Sequence, residues 1–440
     1  MTSRSTLTLP AAWPYDPGRL PFFYGWVIWA LSTLGFLMSV PGQTMGMAVF
    51  TEPFMEAFSL GRTELATAYF FGTTASSLFL TRAGRWYDRY QARTMMVGAS
   101  VVLSAVLVFM SGIDVLIAPL GDGWRGTLAF ALVLVGYFGV RFTGQGVLTS
   151  VSRNVLLVWF ERRRGLVSGV RGVFVSLGFS VAPLLLAMLI DAWGWRGALW
   201  ILAATVGGAF ALLSLVAIRD TPESCGLLPD GAEAADRSRE PAHAVPQDAT
   251  VTEARRCPVF WIYAGSLALH ALFTTAITFH IVDIFAHAGR GAGEAFGYFF
   301  PQAVVSTSVN LVASALVDRL PLKPYLLLML TALGAGGWGL MHLESAWGYW
   351  LLVAGLGSGG GLWGVLSNMA YVRNFGRLHL GEISGLAMSL TVFASAVGPV
   401  LFSVGVDWLG SYTGAIGVCL GLIAGLAAIA ALVSQREPAR

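Results

Sequence analysis

The sequence predicts an all-α membrane protein: twelve transmembrane helices in two pseudo-symmetric six-helix bundles, with the N- and C-termini cytoplasmic. Three observations predict it. Of 440 residues, 56% are hydrophobic and only 12% charged, with a mean hydropathy of +0.69; soluble domains carry about 25% charged residues. The apolar residues fall in continuous runs, each near the ~20 residues that a helical crossing needs, and not in the alternation of a β-barrel. The cytoplasmic turns of one half echo those of the other. This composition excludes a disordered chain, a nucleic-acid binder and a disulfide-stapled secreted domain.

Twelve apolar runs lie near 22–48, 62–82, 94–118, 126–158, 164–190, 196–218, 258–287, 296–317, 324–343, 346–372, 382–406 and 412–434. Residues 1–21 form a polar cytoplasmic segment, and the run after them is too long for a signal-peptide core, so span 1 is read as uncleaved. Residues 22–218 make the N-terminal bundle and 258–434 the C-terminal bundle, with 435–440 as a cytoplasmic tail. Residues 219–257 carry eight acids, five Arg and four Pro. They are expected to form a polar cytoplasmic linker. Cys225, Cys257 and Cys419 are too widely spaced for a disulfide framework or a zinc site.

Lys and Arg fix the orientation. With the N-terminus inside, 21 of the 27 basic residues fall on cytoplasmic segments. Only Arg62, Arg125, Arg196 and Arg290 fall outside, and Arg141 and Arg171 fall within spans. An excess of this kind marks the cytoplasmic face.

The internal repeat is clearest after spans 2 and 8. Gly84-Arg-Trp-Tyr-Asp88-Arg89 with Arg93 in the first half is matched by Ser314-Ala-Leu-Val-Asp318-Arg319 with Lys323 in the second, at an offset of 230. Pro183, Asp191 and Gly194 of span 5 are matched by Pro399, Asp407 and Gly410 of span 11, at an offset of 216. Twelve spans, a central loop and the duplicated G-x-x-x-D-R-x-x-x-R turn resemble the major facilitator superfamily over residues 22–434. Gln91 stands where that pattern has Gly, and Ser314 replaces the first Gly of the second copy. The resemblance implies a gate. Asp88 would accept from free N–H groups at the start of span 11, near Glu382–Gly385, and Asp318 would do the same at span 5. Arg89 and Arg93 would pair with acids or headgroups, and Gly84, Arg319 and Lys323 complete the gating set. The plain alternative is a positive-inside anchor.

A narrower resemblance lies at the join of spans 4 and 5. Trp159-Phe160-Glu161-Arg162-Arg163-Arg164-Gly165-Leu166-Val167-Ser168-Gly169, with Phe23-Tyr24-Gly25-Trp26 at the start of span 1, is similar to the monocarboxylate transporter signature and to the neighbouring oxalate/formate exchangers. It implies transport of small carboxylates, often with a proton. The acid–arginine pair that the family carries in span 8 is absent: residues 296–317 hold Gln302, Ser306 and Asn310 instead. Span 5 lacks most glycines of the superfamily's antiporter motif, which favours symport or uniport.

Ionisable residues inside a bilayer cost at least ~2.5–3.5 kcal/mol and are functional candidates by default. Arg141 lies mid-span with Gln145, Thr149 and Ser152 following at helical spacing. Arg171 is seven residues past Arg164, within partial reach of the cytoplasm by snorkelling. Two guanidiniums lining a central cavity would favour an anion, and their fork matches a carboxylate. Tyr69, Gln302, Asn310, Asn368 and Tyr371 are further candidates to line it, each also readable as packing. Span 7 offers His280, Asp283 and His287 on one face, a possible proton relay or hydrated interfacial residues, and the deeper His270.

The expected function is therefore secondary active transport of a small, monocarboxylate-like organic anion by alternating access, with a proton, through a bacterial inner membrane. The expected partners are this anion, H+ and the lipid bilayer, with no nucleic acid, no metal and no cofactor. No Walker-type loop is present, so no ATPase is expected. The alternatives are a carrier of a neutral or hydrophobic compound, a transport-dead receptor or scaffold, and a polytopic membrane enzyme.

Overall fold

The computed structural model describes residues 10, 12–118, 122–231, 248–409 and 411–433. Arg4, Arg237, Arg239, Gly410, Arg436, Arg440 and the tail 435–440 lie outside the described residues. The described residues form helices and connecting turns, with no strand among them.

Among the described residues, ten helices are long and apolar enough to cross a membrane. Two of these, the 48 residues Glu64–Ser111 and the 54 residues Arg164–Ala217, are long enough for two crossings each at ~1.5 Å per residue. Counted as pairs, they bring the total to the predicted twelve. Each is broken where a run boundary was expected. The break in α2 (Arg62–Ser111) is at Gln91, φ 65° and ψ 175°. The break in α5 (Arg164–Ala203) is at Gly194, φ 68° and ψ 166°. Glycine adopts this region freely, whereas for glutamine it is strained.

The remaining long elements are α1 (Gly25–Met38), α3 (Asp122–Val140), α4 (Thr149–Trp159), α6 (Ala211–Ala217), α7 (Pro258–His287), α8 (Phe299–Val317), α9 (Leu322–Met341), α10 (Ala346–Phe375), α11 (Leu380–Leu409) and α12 (Thr413–Leu432). The stretch Arg141–Leu148 joins α3 to α4 as a π-helix, and Ala204–Phe210 joins α5 to α6 in the same way. Such widened turns are frequent at functional sites.

The chain divides into two compact units. The first holds Met1–Glu161, Phe174–Ser238 and the short segment Leu380–Ser389. In it α2 packs along α3 and the π-helical stretch. The second holds Arg162–Val173, Arg239–His379 and Leu390–Arg440. Its centre is α10, whose glycines let neighbouring backbones approach. A Cβ on Gly355 would lie 2.3 Å from the Gly336 nitrogen, and one on Gly361 would lie 2.5 Å from the Ser306 carbonyl. Small residues at helix contacts are the usual means of tight packing in membranes. Each unit thus incorporates a short helix start from the other half of the sequence, 380–389 in the first and 162–173 in the second.

Candidate functional site

The two exchanged segments meet the two conserved-offset aspartates. Within the first unit, Asp88 Oδ1 accepts from the Gly381 N–H at 2.8 Å and Oδ2 from the Glu382 N–H at 2.7 Å. Within the second, Asp318 accepts from the Gly165 N–H at 2.9 and 3.0 Å and from the Leu166 N–H at 3.4 Å. Gly165 and Gly381 are themselves 216 apart, so the contact is repeated through both offsets. Free N–H groups and the positive end of the helix dipole favour a carboxylate here. The backbones touch: a Cβ on Gly84 would lie 2.1 Å from the Gly381 carbonyl oxygen, and one on Gly165 would lie 2.5 Å from the Ser314 carbonyl. Arg85 adds an ion pair to Glu382 at 2.9 Å.

The basic residues of the motif divide into exposed and buried ones. Arg89 and Arg319 are exposed. Arg93 is 3% exposed. It donates to the backbone carbonyls of Leu215 at 2.7 Å and Trp13 at 2.9 Å, while its main-chain N–H donates to Asp220. Lys323 repeats this, its Nζ donating to the Ala431 carbonyl at 2.7 Å and the Val433 carbonyl at 3.1 Å. Ala431 lies 216 after Leu215, so both cations secure the end of the last helix of their own half.

The connection between the halves is held at both of its described ends. Asp230 Oδ2 accepts from the Glu161 N–H at 2.8 Å. Asp248 Oδ1 accepts from the N–H groups of Arg377 at 2.8 Å and Leu378 at 3.1 Å. Glu161 and Arg377 are again 216 apart, and each precedes an exchanged segment. Thr250 and Glu253 then form a reciprocal capping box.

Arg141, at the start of the π-helical stretch, is 3% exposed. Its Nη1 donates to the Gly42 carbonyl at 3.1 Å and to Thr44 Oγ1 at 3.3 Å, and its guanidinium lies 5.2 Å from the Tyr69 ring centroid. Tyr69 Oη donates to Thr44 Oγ1 at 2.8 Å. Thr44 is exposed, so the guanidinium lies one hydroxyl below the surface of its unit. Its Nε is buried without a partner. Among the described residues, no carboxylate pairs with Arg141. Gln145 is half-buried one turn on.

In the second unit Arg171 is also 3% exposed, so it does not snorkel to solvent. Its Nη2 donates to Asn368 Oδ1 at 3.0 Å. Asn310 Nδ2 donates to the Gly361 carbonyl at 2.9 Å, and its Oδ1 lies 3.3 Å from where a Cβ on Gly172 would be. Gln302 is two turns before Asn310 on α8 and faces Gly360 of α10. Arg171, Asn368 and Asn310 are therefore brought together. Tyr371, three residues after Asn368 on α10, is 4% exposed and packs on Phe260, ring centroids 5.9 Å apart.

On α7, His270 is 7% exposed, stacks on Trp363 at 5.8 Å and leaves its Nε2 buried without a partner. His280 Nε2 lies 3.1 Å from the Pro399 carbonyl and its Nδ1 lies 3.3 Å from Tyr412 Oη. Tyr412 in turn donates to Asp283 Oδ2. His287 Nδ1 is 3.6 Å from Asp283 Oδ1. Sequence reasoning missed Tyr412, which is 129 residues from Asp283 and carries no local signal. It also missed Thr44, whose role depends on the turn after α1, and the linker acids Asp230 and Asp248. The 216 offset, applied to the join of spans 4 and 5, would have found Gly381.

A family model described as Major Facilitator Superfamily matches residues 31–399. No curated protein sequence matches the chain. Among solved structures, the chain is similar to the fucose:proton symporter FucP of E. coli, at 12% identity and a TM-score of 0.64, covering 94% of this chain and 100% of that one. It is similar to the human organic anion transporter MFSD10 (TETRAN), at 16% identity and a TM-score of 0.60, with the same coverage of 94% and 100%. It is also similar to the proton:xylose symporter XylE, at 15% identity and a TM-score of 0.63, covering 93% and 94%. At such identities the likeness shows the fold alone.

Proposed function

Given that the chain belongs to the Major Facilitator Superfamily, we propose that it moves a small organic anion of the monocarboxylate type through a bacterial inner membrane by alternating access, together with a proton. The observation that carries the anion is Arg141: a buried guanidinium with no carboxylate partner among the described residues, a buried Nε that donates to nothing, and a contact with the exposed Thr44. A permanent cation in this setting is costly unless paired. A substrate carboxylate supplies the missing charge and accepts from the fork. Gln145 and Tyr69 complete the subsite. Arg171, held by Asn368 and adjoined by Asn310 and Gln302, offers a second cation, with Tyr371 one turn on from Asn368.

The Asp88 and Asp318 contacts are the cytoplasmic gate of this reading, with Gly84 allowing close approach, Arg93 and Lys323 fixing the helix ends, and Arg89 and Arg319 facing the headgroups. Opening breaks the carboxylate–N–H pairs, and closure remakes them. His280 and Asp283 hold the coupled proton. His270, stacked on Trp363, packs the core of its unit.

Uptake of radiolabelled lactate, pyruvate or oxalate into proteoliposomes, with and without a pH gradient, tests the proposal. Saturable uptake stimulated by the gradient, and abolished in Arg141→Ala with insertion intact, is the expected result. Wild-type flux in that variant removes the assignment. The contact of Arg141 with the Gly42 carbonyl favours a second reading, in which the guanidinium secures the chain after α1 and the cargo is neutral or hydrophobic. Absence of flux for every carboxylate, with Arg141→Ala impaired in folding, selects it.

A further inference from the structure

His280, Tyr412 and Asp283 form one continuous hydrogen-bonded chain. His280 Nδ1 lies 3.3 Å from Tyr412 Oη, and the single phenolic hydrogen is directed at Asp283 Oδ2. Oη therefore accepts from Nδ1–H when Asp283 is a carboxylate. In the neutral ring of that state Nε2 is an acceptor, met by the Ser403 hydroxyl at 3.3 Å. Adding one proton makes Nε2 a donor as well, and it then meets the Pro399 carbonyl at 3.1 Å, with no net charge on the three groups.

From this geometry we infer that Tyr412 is a proton-relay residue, joining a water-facing Asp283 to the inner His280 as a single one-proton site. The inference rests on the proton-coupled reading above and adds to it a residue and a path. In one step the Asp283 carboxyl gives its proton to Oη while Oη gives its own to Nδ1. Protonated Asp283 and neutral His280 become carboxylate and imidazolium, and Tyr412 ends as it began. Asp283 is more than half exposed, with side-chain exposure of 55%, whereas His280 is half-buried against Phe402 and Tyr412. The path therefore runs from the surface of its unit inward.

The groups facing the three residues come from each packed element. From α7, His287 Nδ1 lies 2.9 Å from the Asp283 carbonyl and 3.6 Å from its Oδ1. From α11 come the Pro399 carbonyl and Ser403 Oγ, the latter 3.3 Å from His280 Nε2. At the start of α12 stands Tyr412 itself. Among the described residues, no Lys or Arg pairs with His280, Asp283 or Tyr412, so no fixed cation competes for the added proton. Ser403 donates to Nε2 when the neutral ring carries its proton on Nδ1 and accepts from Nε2–H otherwise, so it serves both protonation states.

The test needs no substrate. Infrared difference spectra of the purified full chain, taken between acid and alkaline pH, carry an imidazole and a carboxyl signal, assigned by their loss in His280→Gln and Asp283→Asn. Tyr412→Phe keeps the ring and its contacts with Phe402 and His280 and removes only the hydroxyl. The expected result is that both signals move together in Tyr412→Phe, and that Asp283→Asn moves the imidazole signal. Signals that stay in place in Tyr412→Phe overturn the relay. If Tyr412→Phe does not fold, an imidazole signal unmoved by Asp283→Asn overturns it instead. Moved signals without carboxylate flux keep the proton site and sink the proposed cargo; flux with unmoved signals does the reverse.

Discussion

The side-chain amide of Gln91 donates to the main-chain carbonyl of Asp88 at 2.9 Å. This bond closes the helix end behind the gate aspartate, where carbonyls otherwise lack partners. It also sits on a backbone that only glycine adopts without strain, worth about 1–3 kcal/mol. The superfamily pattern has glycine here, and this chain replaces it with a residue that is strained but bonded.

The first prediction follows from those opposed effects. Gln91→Gly releases the strain and loses a hydrogen bond of ~0.5–1.5 kcal/mol, so it should be at least as stable as wild type. Gln91→Ala keeps the strain and loses the bond, and should be less stable by about 1 kcal/mol. Thermal unfolding in detergent orders the three proteins. Alanine equal to glutamine means the amide bond contributes nothing.

The glycines of α2 separate close approach from helix propensity. At Gly84 a Cβ would collide with the Gly381 carbonyl at 2.1 Å, and neither backbone can yield. Gly84→Ala should cost about 1–3 kcal/mol through overpacking. Gly98 has nothing within 4 Å of its would-be Cβ, so Gly98→Ala in the same helix should stabilise by about 0.5–1 kcal/mol. Equal melting temperatures for the two variants would contradict the close approach.

Much of this arrangement was legible. The D-R turns and the two offsets came from side-chain identities that repeat, and the start of span 11 near Glu382 came from the superfamily resemblance, one residue past Gly381. The partners of Arg93 did not, because main-chain carbonyls leave no mark in a sequence; the guanidinium was assigned to acids or headgroups, and it donates to the carbonyls of Leu215 and Trp13. Tyr412 was hidden for a different reason. Its partners are on another helix, and a tyrosine near a predicted helix start reads as an interfacial anchor.

Arg93 and Lys323 predict a graded effect. Arg93→Ala orphans the carbonyls of Leu215 and Trp13 and the more distant one of Pro10, and should cost roughly 2–4 kcal/mol, at ~1–3 kcal/mol for each lost acceptor with partial recovery by water. Arg93→Lys should retain part of this, since Lys323 reaches two carbonyls with one ammonium in the other half. Arg89→Ala, on an exposed residue, should stay within about 0.5 kcal/mol. A lysine variant as unstable as the alanine variant would show that the guanidinium fork itself is required.

Asp318 gives the sign of a pH dependence. Burial pushes its carboxyl above the usual range, outweighing the Gly165 and Leu166 N–H donors. A carboxyl raised on folding binds its proton more readily in the folded state. Its stabilising contribution is therefore present at acid pH and is lost as pH rises through the raised value. The advantage of wild type over Asp318→Asn in melting temperature should be larger in mild acid than at neutral pH, with other groups cancelling in the difference. The opposite trend means the N–H donors prevail over burial.

Thr44 offers the sharpest check on the anion. Its Oγ1 lies 3.3 Å from Arg141 Nη1 and is exposed, so a carboxylate introduced there reaches the guanidinium from the side proposed for the substrate. In Thr44→Asp the protein carries its own counter-ion. The pair should stabilise the fold by about 1 kcal/mol, discounted for exposure. It should also remove organic-anion uptake, because the cation is already neutralised. Thr44→Asn, of the same size and uncharged, should keep most of the flux. This combination separates charge from shape. If Arg141 merely holds the Gly42 carbonyl, the asparagine and aspartate variants transport alike, and the guanidinium has no part in choosing the cargo.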